Sequence, residues 1–384
     1  MRMTEQLVGL SLLALMAGCS TMKSLNPFSA KESKTPPAAL AEFKPSLAVR
    51  TVWKQSIGKS GAYVFSPALA DNSLFVAAAD GALARLDAAS GRTIWSIKAG
   101  SELTAGVGSD GSVVAVGAAK GGILAFDGAG KLLWKGQASS EILSSPVVGQ
   151  DVVVVRSVDN RITAFDAKTG TKKWTVLRTT PALTLRNAPG MTISGSNVYV
   201  AQPGGKLLAL TLGAGLPRWE IAVGEPRGAT ELERVTDIAG TPVVFDQDVC
   251  AVSYQGRVGC YDAATGATRW TKEQSSDVGV AVDQRFVFAV DEKSALTAFS
   301  RDGGQSAWKN DKLAYRRLST PVSYERAVAV GDYQGYIHFL SREDGAFIGR
   351  ISTDGSPIIS VPVIAGSNLI FQTQSGTVTA LAVE

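Results

Sequence analysis

The side chains able to do acid–base, nucleophilic or metal chemistry are few in this chain and poorly placed for it. Its one histidine is His338, inside GYIHFL, where apolar alternation predicts a strand. General acid–base work requires such a ring to stand within hydrogen-bond reach of a reacting group, and no serine or cysteine occupies a nucleophile elbow beside which it would act. Cys19, Cys250 and Cys260 have no zinc-ligand spacing with it. Cys250 and Cys260 fall on the two strands of one hairpin around Gln255-Gly256, where they form either a disulfide in an oxidising compartment or two buried thiols. The run from Pro203 to Lys206 lacks the upstream glycine and the Ser or Thr of a phosphate-binding loop, so it reads as turn chemistry. His338 is therefore assigned a structural role, and no catalytic, cofactor-binding or metal-ligating residue, and no cofactor, is expected.

The composition points to what must do the work instead. Lys and Arg total 38 against 34 Asp and Glu, a net charge of +4, and no block of like charge interleaves with aromatics, which argues against a nucleic-acid binder. Forty glycines, few charges and valine runs such as Val152 to Val155 describe an all-β chain with many turns.

The N-terminus is a targeting segment. Leu7 to Ala17 is apolar but shorter than the roughly 20 residues a bilayer span needs. It leads into Met16-Ala17-Gly18-Cys19, which resembles the bacterial lipobox. That resemblance implies a signal peptide over residues 1–18, removed by cleavage before Cys19, and lipidation of Cys19. Ser20 stands where an Asp would resemble an inner-membrane retention signal, which implies the outer membrane, facing the periplasm. Residues 19–47, centred on SAKESKTPPAA, carry too little apolar surface to offset the entropy of ordering and are expected to form a flexible tether.

Beyond the tether the chain repeats. All seven tryptophans, Trp53, Trp95, Trp134, Trp174, Trp219, Trp270 and Trp308, share one register, at spacings of 42, 39, 40, 45, 51 and 38 residues. A period near 40 with four short strands per unit marks a β-propeller. The unit is legible in TAFDAKTGTKKW. An apolar strand reaches Asp166, which caps the turn; Gly170 closes the hairpin; and Trp174 sits on the outer strand, where its face fastens one blade to the next. A seventh hairpin, HFLSREDGAFIG, carries Gly349 in place of the tryptophan. After it come three more strands and the end of the chain, while Arg50 to Trp53 is a tryptophan strand with no hairpin before it. The expected fold is thus an eight-bladed propeller over residues 48–384, with four-stranded blades and the N-terminal strand completing the last one, so that the ring has no free end.

The frame A-x-D-x-x-T-G-x-x-x-W, from Ala164 to Trp174, resembles the tryptophan-docking repeat of the pyrroloquinoline-quinone (PQQ) propellers. Two groups carry that repeat. In the quinoprotein dehydrogenases the resemblance would imply a vicinal cysteine pair, and this chain has no adjacent cysteines. With the BamB family of outer-membrane assembly lipoproteins the resemblance covers the lipobox, tether and eight blades. It implies a non-catalytic scaffold of the β-barrel assembly (BAM) complex that binds the periplasmic POTRA domains of BamA, with unfolded outer-membrane proteins as further clients. The two longest repeat intervals hold PALTLRNAP and GATELERVTDIAGTPVV. By the resemblance, Leu183, Leu185, Arg186 and Asp237 are the BamA contacts, and the family's second Asp is here Ala239, so that the acidic half would rest on Asp237 with help from Glu231 or Glu233. Read from the residues alone, Leu183 and Leu185 either present an apolar pair beside a cation or tuck between blades. The rival reading is a PQQ-dependent dehydrogenase-like propeller, or one binding a small ligand in its channel.

Overall fold

The computed structural model describes residues 35–185 and 188–384. The expected signal peptide, Cys19 and most of the expected tether lie outside them, as does Arg186. Pro37–Glu384 is one compact unit built of eight antiparallel four-stranded sheets. Blade 1 runs from Ala68–Ala70 to Thr93–Lys98, and each following blade repeats the inner-to-outer order through blade 7, which ends at Phe347–Ser352. Blade 8 takes its three inner strands from Val363–Ala365, Asn368–Gln372 and Thr377–Val383, and its outer strand from Val49–Ser56 at the other end of the chain. That closing pair runs from Val49 opposite Val383 to Ser56 opposite Thr377. The expected closure is therefore the observed one.

The second and third strands of each blade are almost wholly buried because both of their faces pack on neighbouring blades. Val152–Arg156 and Phe286–Val290 show no exposed position. Such strands read as unbroken apolar runs rather than as alternation. The outer strands alternate, as in Lys172–Leu177, where only Trp174 is buried.

The repeated hairpin is a docking device. Asp166 Oδ1 accepts the Thr169 N–H at 2.9 Å and the Thr169 hydroxyl at 2.9 Å, which holds the turn. These bonds, from the Thr169 backbone first, hold the Asp166 carboxyl below its ordinary value. Gly170 follows at φ +71, and the indole of Trp134 from the preceding blade lies over it, so near that a Cβ would meet Cδ2 at 2.7 Å. Glycine is thus required there both by backbone angle and by space. Trp134 Nε1 then donates to Ala167 O at 2.8 Å, across the blade boundary. The same bond joins Trp53 to Ala88, Trp95 to Gly128, Trp174 to Leu212, Trp219 to Ala263, Trp270 to Arg301 and Trp308 to Arg342. Opposite most of these indoles stands a small residue, as in Ala164 facing Trp174 and Ala380 facing Trp53.

Blade 7 departs from this pattern for a topological reason. Its tryptophan would dock on the hairpin between the third and fourth strands of blade 8, but those strands are the two ends of the chain, and no turn joins them. Gly349 stands in the vacant position, and the large residue is on the opposite strand, where Phe339 faces it in register. Val49 and Leu47 of the N-terminal segment cover the glycine.

That segment corrects one expectation. Residues 37–47, read as part of the tether, are packed on blades 6 and 7. Ala38 N donates to Ala314 O at 2.8 Å, Leu47 N to Ile348 O at 3.0 Å, and Phe43 stacks on Phe347 with ring centroids 5.6 Å apart. Two arginines bind its carbonyls, Arg316 Nη1 to Ala38 O and Arg350 Nη2 to Ala41 O, each at 3.0 Å. The compact unit therefore begins at Pro37, not at 48. The polar run centred on SAKESKTPPAA ends before this segment, whose own Phe43 and Leu47 pack on the ring while the arginines bind two of its carbonyls.

The same arginines account for His338. The ring is fully buried, with Nε2 2.9 Å from Asp332 Oδ2 and Nδ1 accepting from Arg350 Nε at 3.1 Å. Arg316 donates to that Asp332 oxygen at 2.7 Å. Burial pushes the imidazole below its ordinary value, only partly offset by Asp332. His338 and Asp332 thus anchor, within the core of blade 7, the two arginines that hold the N-terminal segment. Cys250 and Cys260 face each other across their two strands and form a disulfide, which decides between the two alternatives for that pair.

Candidate interaction site

The connections from an outer strand to the next inner strand all emerge on one side of the ring. The two longest are 178–190, between blades 3 and 4, and 223–237, between blades 4 and 5. They are joined at one carboxylate. Asp237 Oδ2 accepts the Leu185 N–H at 2.6 Å, and Oδ1 accepts the Gly204 N–H, from the tight turn Pro203–Gly205, at 2.8 Å. Asp237 is only 2% exposed. Burial pushes its carboxyl up from the ordinary value, and the two N–H bonds and the nearby Arg156 charge offset part of that. Asp237 therefore lies beneath the surface and holds the first loop in place; the contact role that the resemblance implied for its side chain is a positioning role in this geometry.

What the loop presents is apolar. Leu183 is 43% exposed, Thr184 is exposed and Leu185 is half-buried. Leu185 turns toward a cavity of about 250 Å³ whose described lining includes Leu143, Arg156, Val158, Pro189 and Asp237. Val158 is itself exposed, and on the second loop Leu232 is 73% exposed. Of the two alternatives for the leucines, Leu183 is presented and Leu185 is partly tucked.

The acidic residues of the second loop divide by role. Glu233 Oε2 accepts the N–H groups of Ala229 at 2.8 Å and Thr230 at 3.0 Å, while Glu233 N donates to Thr230 Oγ1. This reciprocal capping organises the loop; of its other exposed acids, Glu225 lies 3.5 Å from Arg227, and Glu231 stands beside Leu232. Ala239 is buried in the apolar cluster of Val252, Val258 and Trp270, where a carboxylate would have no polar surroundings. Arg156, at the end of the buried strand VVVVR, is the member of this site that the residue pattern did not disclose. The only signal was a cation closing an otherwise apolar run.

The inner ends of the blades line a second space, of about 400 Å³, by Pro67, Val107, Pro146, Val148, Thr192 and Val361 among others. Its described lining contains no charged side chain, so nothing there would pair with the carboxylates of a quinone cofactor.

The family model described as outer membrane protein assembly factor BamB matches residues 49–102 and 79–310. A curated BamB from Burkholderia pseudomallei is 45% identical over 91% of this chain and 92% of that protein. The chain belongs to the BamB family. BamB of Escherichia coli is 30% identical over 97% of each chain. The solved BamB of Moraxella catarrhalis shares the fold with a TM-score of 0.80 at 26% identity, covering 87% of this chain and 100% of that one. A quinohemoprotein alcohol dehydrogenase from Comamonas testosteroni gives a TM-score of 0.67 at 13% identity, over 87% of this chain and 76% of that one, a likeness of fold alone. Within the BamB family, then, this chain keeps the full ring.

Proposed function

We propose that this chain is a non-catalytic subunit of the BAM complex, lipid-anchored through Cys19 in the outer membrane and facing the periplasm, where it docks on the POTRA domains of BamA and assists insertion of β-barrel proteins. The observation that carries this reading is the loop bearing Leu183 and Leu185, held by Asp237 on a rigid ring, in a chain whose match covers 92% of a BamB relative. A pre-positioned loop loses little entropy on association, so a small apolar contact with a polar rim suffices for specific docking. Leu183 is the anchor, Leu185 shapes the cavity edge, and Arg186 and Glu231 supply charge around them. The outer strands of the blades leave one edge unpaired, and these edges hold unfolded clients by strand addition.

Replacing Leu183, Leu185 and Arg186 together by Ala tests the docking. Co-purification with BamA is expected to be lost while the melting temperature stays near that of the parent. Full retention of binding would overturn the assignment.

A further inference from the structure

Arg156 is 7% exposed, its Nε has no hydrogen-bond partner, and its guanidinium donates a single bond, from Nη2 to Ser144 Oγ at 3.3 Å. No ion pair involves it among the described residues. It lines the cavity at the foot of the Leu183–Leu185 loop. A guanidinium presents five donors and stays charged, so a buried Nε–H with no acceptor is costly. The site's own carboxylate does not relieve it: Asp237 spends both oxygens on the Leu185 and Gly204 N–H groups. Burial lowers the Arg156 guanidinium to about 10, and Asp237 offsets this only in part. The free chain thus keeps an under-satisfied cation at the base of an opening whose rim is the proposed docking loop. Leu143, Val158 and Pro189 would cover an aliphatic stem, and Thr184 adds a hydroxyl at the edge.

We propose that this cavity receives an acidic side chain of the docking partner, with Arg156 as its buried ion-pair and Leu143, Val158 and Leu185 enclosing its methylene stem. The inference rests on the docking role given above and assigns the chemistry of one partner residue. The other charge in the cavity's described lining, Asp237, has both oxygens occupied by N–H groups, so the unused capacity is the guanidinium's donors, which a glutamate or aspartate fills and a lysine or an apolar side chain does not.

The test is calorimetric titration of the purified BamA POTRA domains into the parent chain, Arg156→Gln, Arg156→Lys and the Leu183→Ala/Leu185→Ala pair. Arg156→Gln is expected to raise Kd by about 30-fold or more, and Arg156→Lys by less. Each POTRA acid is also changed to its amide and titrated against the parent chain, which covers the case in which Arg156→Gln fails to fold. One such change should reproduce the loss and add nothing further to Arg156→Gln. Parent-like binding by folded Arg156→Gln beside a defective leucine pair would overturn the inference alone, as would a POTRA scan with no sensitive acid. Absence of binding by the parent chain would overturn the docking role and this inference together.

Discussion

Introducing the missing tryptophan, Gly349→Trp, should weaken the protein although it would make blade 7 match its neighbours. Seven blades fasten to the next through an indole, a hairpin glycine and a carbonyl, and a consensus argument would count an eighth as a gain. The geometry says otherwise. A Cβ at position 349 would already stand 3.3 Å from Val49 Cγ2 and 3.4 Å from Phe339 Cβ, so the indole would displace the N-terminal segment or the opposing phenylalanine. Overpacking of this kind costs about 1–3 kcal/mol. The indole N–H would also find no hairpin carbonyl, because the chain ends stand where that turn would be, and an unmatched buried donor adds about 1–3 kcal/mol. With an unfolding entropy near 2.1 cal/mol/K per residue over a ring of this size, a loss of about 2–6 kcal/mol lowers the melting temperature by roughly 3–8 °C. Differential scanning calorimetry of parent and variant measures it. A melting temperature equal to or above the parent's would refute the claim that ring closure by two chain ends excludes the eighth tryptophan.

Two further outcomes follow from the same geometry. Removing residues through Trp53 deletes Val49 to Trp53 of the outer strand of blade 8 together with the indole bond to Ala88, so the ring should melt broadly and far below the parent; a cooperative, parent-like melt would contradict the closure. The hairpin carboxylates Asp87, Asp166 and Asp262 are held below their ordinary value of 3.8 by the Ser or Thr three residues on. Folding therefore lowers their pKa, and the stability they supply is complete above about pH 4 and lost as pH falls below it. Asp166→Asn should flatten that acid limb measurably, and an unchanged pH profile of melting temperature would show that the hairpin bonds do not govern it.

Much of the fold was legible because it is written in local chemistry that repeats. The tryptophan spacing, the Asp-to-Gly hairpin and the orphan strand at Arg50 to Trp53 required no long-range knowledge, and together they led to eight blades and the closure. What stayed hidden depends on partners far away in the chain. Residues 37–47 follow a polar, proline-containing run and read as its continuation, yet Arg316 and Arg350, some 300 positions later, bind their carbonyls. Asp237 matched the expected position but not the expected exposure, because the N–H groups that bury it come from Leu185 and Gly204. Arg156 gave almost no signal, since its meaning lies in the absence of a partner, which only the packed structure reveals.

The measurement that bears most directly on the docking account is site-specific photo-crosslinking in cells, with the probe placed at Leu183 and, as a control, at Leu132 on the outer strand of blade 2, which is similarly exposed. A strong adduct with BamA from position 183 and none from position 132 is the predicted result. An adduct of equal strength from both positions, or none from position 183, would contradict the assignment of this loop as the docking surface.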